Sequence, residues 1–257
     1  MTPLDHGTAV AAETTRFVAA VQHADPSLPV PTCPDWTLAD LVRHTGSAQR
    51  WFTDLLGKGS LQPPTSRDVD LKLPESPAEY PAWLGEAAAE AAAVWTGLDL
   101  DAPMWAWGAD QHARFWVRRM AFETLVHRVD AELALGLPAD IDPALAADGV
   151  AEFLTNLPFA ALFAPKTAEL RAENRTIRFA RTDGAGDWLV RLRPDSLTLE
   201  TSEKLSEEPA EPADATVRGT AADLLLLLYG RLDRTSDRFE VHGDDALLAH
   251  WFAHSAF

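Results

Sequence analysis

A single cysteine, Cys33, stands in 257 residues. That excludes an internal disulfide framework and any metal site built from several thiolates, and it agrees with a reducing compartment. Positive charge is scarce as well, because 22 Lys and Arg against 39 Asp and Glu leave a formal net charge of −17. Such a field repels phosphate backbones and anionic lipid surfaces, so neither nucleic acid nor a membrane is an expected partner. Long apolar runs are also missing. The longest, "LLLLLY" at residues 224–229, falls far short of the roughly 20 residues that span a bilayer. No charged-then-apolar leader pattern opens the chain, and a cytoplasmic location is expected.

What is present is a globular composition, 47% apolar, long enough for one large domain or two ordinary ones. Four segments of the first half have helical character: "LDHGTAVAAETTRFVAAVQHA", "PDWTLADLVRHTGSAQRWFTDLLG", "SPAEYPAWLGEAAAEAAAVWTGL" and "ARFWVRRMAFETLVHRVDAELALG". Val10, Phe17, Val18 and Val21 favour one stripe of the first. Thr37 is the expected N-cap of the second and Gly57 its expected stop, while the third ends near Gly97 and the fourth at Gly136. The connection over residues 57–77 is too long for a tight turn and predicts a crossover over a four-helix bundle.

After Pro138 the texture changes. One more helix over residues 143–156 gives way to "RTIRFAR", "DWLVRLR" and "SLTLETS", short strand-like pieces joined by turn residues, which predict a meander. A charged, Pro-rich loop, "EKLSEEPAEPAD", leads to a strand "ATVRG", an apolar helix "TAADLLLLLYGRL", a strand "RFEVHG" and a short helix "DDALLAHWFAHS". The fold class is therefore α plus α+β, with a bundle domain at 1–140 and an α+β domain at 141–257.

The chemistry centres on "FETLVHRVD", residues 122–130, where Glu123 and His127 share one helix face. His44 on the second helix completes a set of two imidazoles and one carboxylate, suited to a divalent ion with coordination positions left open. By spacing alone, an exposed acid–base pair and a core histidine are the commoner reading. Arg118, Arg119 and Arg128 are expected to pair with Asp130, Glu132 and other carboxylates on a solvated face. Asp130 alternatively orients an imidazole. Trp36, Trp51, Trp105, Trp107 and Trp116 are read as core and interface aromatics. His250 and His254 also stand four apart, but on a terminal helix without an obvious third ligand. Cys33 is read as a small buried side chain ahead of a helix.

"CPDWTLADLVRHTGSAQRW", "FWVRRMAFETLVHRVDAE" and "GTAADLLLLLYGRL" together resemble the mycothiol-dependent maleylpyruvate isomerase family, in the family's order and over nearly the whole chain. The resemblance implies a DinB-like four-helix bundle holding a metal, usually zinc, through His44, Glu123 and His127. It further implies a smaller, sterol-carrier-like α+β domain in which Arg231, of "YGR", is the expected catalytic and cofactor-binding residue. Relatives often carry a second histidine one turn after the first, where this chain has Gln49. The implied cosubstrate is mycothiol or a similar thiol, and the implied partner is a small electrophilic substrate. Thiol S-transfer is the leading expectation, with maleylpyruvate-type cis–trans isomerisation as the alternative and a non-catalytic metal-binding protein as the second. A monomer and a homodimer both fit.

Overall fold

Helix α1 (His6–Val21) starts where Asp5 accepts a hydrogen bond from the Thr8 backbone N–H at 3.1 Å. Its buried Val10, Thr14, Phe17 and Val21 recur at helical spacing, which turns one stripe inward. Helix α2 (Leu38–Lys58) opens with a capping box, Thr37 and Asp40 each satisfying the other's backbone N–H. It runs past Gly57 and stops at Gly59, whose φ of 55° provides the left-handed turn that Gly57 was expected to make. Helices α3 (Tyr80–Trp95) and α4 (Ala113–Ala134) complete the set. The computed structural model describes residues 4–64, 69–202 and 212–256. Part of the 57–77 connection and most of "EKLSEEPAEPAD" lie outside them.

In this first unit α1 packs on α4 and α3, and α2 packs on α3 and α4, a four-helix arrangement. Gly46 permits the α2–α3 approach: a Cβ there would stand 2.2 Å from the Trp83 ring. Leu71, in the described end of the long connection, is held by Arg50 Nε and Trp83 Nε1, each donating to its carbonyl at 2.8 Å. Helix α4 is buried almost all round, and that burial includes Arg119, Arg128, Asp130 and Glu132. The expectation of a solvated face for these charges is therefore corrected. Arg128 Nε donates to Glu13 at 2.8 Å and Nη1 to Glu132 at 2.5 Å, a buried bridge between α1 and α4.

Backbone proximity divides the chain into residues 1–106 with 110–140, and residues 107–109 with 141–257. The second unit comprises α5 (Pro143–Asn156), β1 (Arg175–Arg181), β2 (Asp187–Leu192), β3 (Leu197–Ser202), β4 (Ala215–Gly219), α6 (Ala221–Leu228), β5 (Glu240–Gly243) and α7 (Asp245–His254). Two 3-10 turns after α5 were not expected. The first three strands form the antiparallel meander that their turns foretold, but β4 pairs parallel with β1, giving the order β3-β2-β1-β4-β5. Ile177, Phe179, Trp188, Val190, Ala215 and Val217 alternate onto one apolar face. Against the sheet lies α6, which also packs on α5.

Candidate metal centre

The loop before α2 is tight: Val30 N–H donates to Trp36 O at 2.9 Å, Cys33 N–H to Val30 O at 3.0 Å and Trp36 N–H to Cys33 O at 3.1 Å. It delivers Trp36 to the N-terminal end of α2, where its ring centroid lies 4.9 Å from that of His44 and 6.1 Å from that of His127. Trp36 is half-buried: it packs against the core cluster that includes Val30, Leu38 and Leu41, as expected, and also stands beside both imidazoles. Trp51, Trp105 and Trp116 do form an aromatic cluster in the bundle.

His44 from α2 and Glu123 and His127 from α4 converge. Glu123 Oε1 lies 2.9 Å from His44 Nε2 and 3.4 Å from His127 Nε2. Arg119, one turn earlier and buried, donates Nη2 to Glu123 Oε2 at 3.0 Å, which leaves Oε1 facing the imidazoles. Burial opposes the Glu123 charge, but hydrogen bonds from His127 and His44 and the charges of His127 and Arg119 hold its carboxyl well below the usual range. Burial likewise opposes charge on His127. Hydrogen bonds with Asp130, Cys33 and Glu123, and the Glu123 charge, nevertheless hold the imidazole well above its ordinary value.

The donor atoms of these three residues all lie within 4.8 Å of one another, and the group numbers three among the described residues. Ligands about 2.0–2.2 Å from a tetrahedral ion stand roughly 3.3–3.6 Å apart; the His127–Glu123 separation of 3.4 Å falls in that range, and the His44–Glu123 separation of 2.9 Å is the shorter span of a direct hydrogen bond. Two imidazoles and a carboxylate are also the donor types that zinc accepts, so the residues fit a divalent ion. A pocket of about 570 Å³ opens on His44, walled by Trp36, Arg43, Ser47, Leu71 and Leu73 among others.

The remaining candidates separate. Arg231 lies in the second unit just after α6, its Nη1 donating to the Tyr229 carbonyl at 2.6 Å. Gln49 is buried between α1 and α4, donating to Thr14 and Thr124 hydroxyls at 3.0 Å each. His254 directs Nδ1 to the His250 carbonyl at 2.7 Å and Nε2 to Glu169 at 3.2 Å, so both ring nitrogens are engaged. Sequence reasoning missed the place of Cys33: it is half-buried, its Sγ is 3.4 Å from Asp130 Oδ2, and with His127 and Asp130 it forms a second donor cluster. The only signal for this was the three-residue offset of Asp130 from His127, on one helix face.

Comparison with known proteins bears on both units. The mycothiol maleylpyruvate isomerase N-terminal domain matches residues 8–132, and the MDMPI C-terminal domain matches residues 144–250. No curated protein matches the chain. A crystal structure of a histidine-to-alanine mutant of the mycothiol-dependent maleylpyruvate isomerase is 14% identical with a TM-score of 0.58, the match covering 92% of this chain and 91% of that one. That isomerase without the substitution is 15% identical with a TM-score of 0.56, over the same shares of the two chains. These likenesses speak for the fold: a helical first half followed by a mixed five-stranded sheet with helices. With domain matches in both halves and in family order, the chain belongs to the mycothiol-dependent maleylpyruvate isomerase family, a family of enzymes.

Proposed function

We propose that this chain is a metal-dependent enzyme that adds the thiolate of a low-molecular-weight thiol, mycothiol or a close analogue, to a small electrophilic substrate. The observation that carries this is the convergence of His44, Glu123 and His127 as three donors from two helices, with no fourth in the group among the described residues. A structural zinc site is closed by four protein ligands, whereas three leave a position for exchange. A divalent ion held by these residues, zinc being the expected one, supplies the positive charge that lets a thiol ionise near neutral pH.

The chain's own residues do the rest. Arg119 fixes Glu123, which His44 reaches from α2 and His127 from one turn further along α4. Trp36, Leu71 and Leu73 give the pocket beside His44 an apolar wall, and Asp35, Asp40, Arg43 and Ser47 give it polar groups. Arg231, in the second unit, is retained as the catalytic and cofactor-binding residue that the family resemblance implies. The thiolate sulfur forms a bond to one carbon of an activated double bond, the π bond breaks, and the neighbouring carbon takes up a proton to complete the adduct. Release of that adduct is S-transfer. For a cis alkene, rotation about the resulting single bond followed by loss of that proton and of the thiolate restores the double bond in the trans form, which is isomerisation, the alternative outcome of the same addition.

Elemental analysis of protein purified without a histidine tag tests the reading. Near-stoichiometric zinc is expected in the wild type and its loss in His127→Ala, with thiol-dependent consumption of electrophile lost in step. A folded wild type that neither carries metal nor takes up added zinc would overturn it.

A further inference from the structure

Asp130 is fully buried on α4, at 0% exposure, and no step above uses it. A carboxylate withdrawn from water must be met by donors. Its Oδ1 accepts the Thr32 hydroxyl at 2.6 Å. Its Oδ2 lies 2.9 Å from His127 Nδ1 and 3.4 Å from Cys33 Sγ. Two of these donors come from the loop before α2, about a hundred residues away in sequence, and the third is the imidazole whose other nitrogen faces Glu123.

An imidazole coordinates a metal only through a nitrogen that carries no proton. His127 has two nitrogens with distinct neighbours: Nδ1 against Asp130, and Nε2 in the group with His44 and Glu123. A proton kept on Nδ1 by the Asp130 carboxylate leaves the Nε2 lone pair directed into that group. Asp130 is in turn held by Thr32 and Cys33, in the same loop that sets Trp36 beside both imidazoles. From this geometry we infer that Asp130 is a positioning residue: it fixes the tautomer and ring orientation of His127 for metal binding, and Thr32 fixes Asp130. Cys33 serves as a further donor to that carboxylate. The inference rests on the metal reading of His44, Glu123 and His127.

The test is zinc affinity of the metal-stripped full chain, measured by competition with a chromophoric chelator, alongside the thermal midpoint of the metal-free protein. Asp130→Asn is expected to weaken zinc binding about 10–100-fold, the usual consequence of losing a carboxylate partner of a metal-bound histidine. Thr32→Val, which leaves the carboxylate in place, is expected to weaken it roughly 2- to 10-fold through loss of one hydrogen bond. Should Asp130→Asn not fold, Thr32→Val alone decides. A role confined to pinning the loop would lower the metal-free midpoint while leaving the affinity of the folded protein unchanged, and that result overturns the inference. Unaltered affinity in both variants, with a wild type that binds zinc, sinks the inference alone; a wild type that binds no zinc sinks the metal reading beneath it.

Discussion

Within α4 the residues withdrawn from solvent include Arg119, Arg128, Asp130 and Glu132, whereas α6 withdraws five consecutive leucines, Leu224 to Leu228. Both helices are central to their units and both draw on the ordinary gain of apolar burial, roughly 25 cal/mol per Å², since α4 also buries Phe115, Trp116, Met120, Phe122 and Leu125; only α4 adds buried charge to it. The buried charges of α4 recover about what their desolvation costs, and then only when every partner is present. Charge burial of that kind adds little to the stability of a helix. It is a good way to hold donor atoms at set positions, because each polar group must find its partner in one geometry.

The contrast can be broken most directly at Arg128, whose side chain is fully buried between Glu13 and Glu132. Arg128→Met leaves two buried carboxylates without it and is expected to lower unfolding free energy by about 3–5 kcal/mol in urea titration. Replacing all three by apolar residues of similar volume should restore most of that loss; failure to do so would mean the network stabilises the bundle in its own right. In the second unit, Leu225→Ala in α6 is expected to cost about 2–5 kcal/mol, through lost transfer energy and the cavity left behind. A loss under about 1 kcal/mol by the same titration would show that α6 is not the apolar keystone its burial suggests.

The smallest effect is expected at the sheet. Asp214 accepts from the Thr176 backbone N–H at 2.7 Å and hydroxyl at 2.9 Å, and lies 2.9 Å from Arg175 Nε, beside the parallel β1–β4 pair. Burial pushes its carboxyl up, but the Thr176 hydrogen bonds and the Arg175 charge outweigh that and hold it below the ordinary value of 3.8. Below that value the unfolded chain binds the proton first, so the stabilisation is present above 3.8 and is lost as pH falls through the native value. Asp214→Asn should flatten the acid limb of the stability–pH profile by less than about 1 kcal/mol, since the group is a third exposed and screened. A limb as steep as that of the wild type would remove Asp214 from the account.

Much of this was legible in the residues. Thr37 and Asp40 announce the start of α2, because a capping box needs only a local spacing. The period-2 alternation of "DWLVRLR" announces β2 in the same local way. Glu123 and His127 announce a shared face, although only the resemblance to a family singled them out among many such pairs. The parallel pairing of β4 with β1 was not legible, since two other strands separate them in sequence. Nor was the burial of Arg128, whose partner Glu13 stands 115 residues away.

By itself, then, the sequence determined the helices and strands, the excess of negative charge, and which residue types were available for chemistry. These follow from contacts within a few residues and from composition. Only the tertiary structure decided that His44 meets Glu123 from another helix, that Thr32 and Cys33 close on Asp130, and that Trp36 stands beside the imidazoles. Those outcomes depend on how helix faces pack, and packing joins side chains whose separation along the chain carries no local signal.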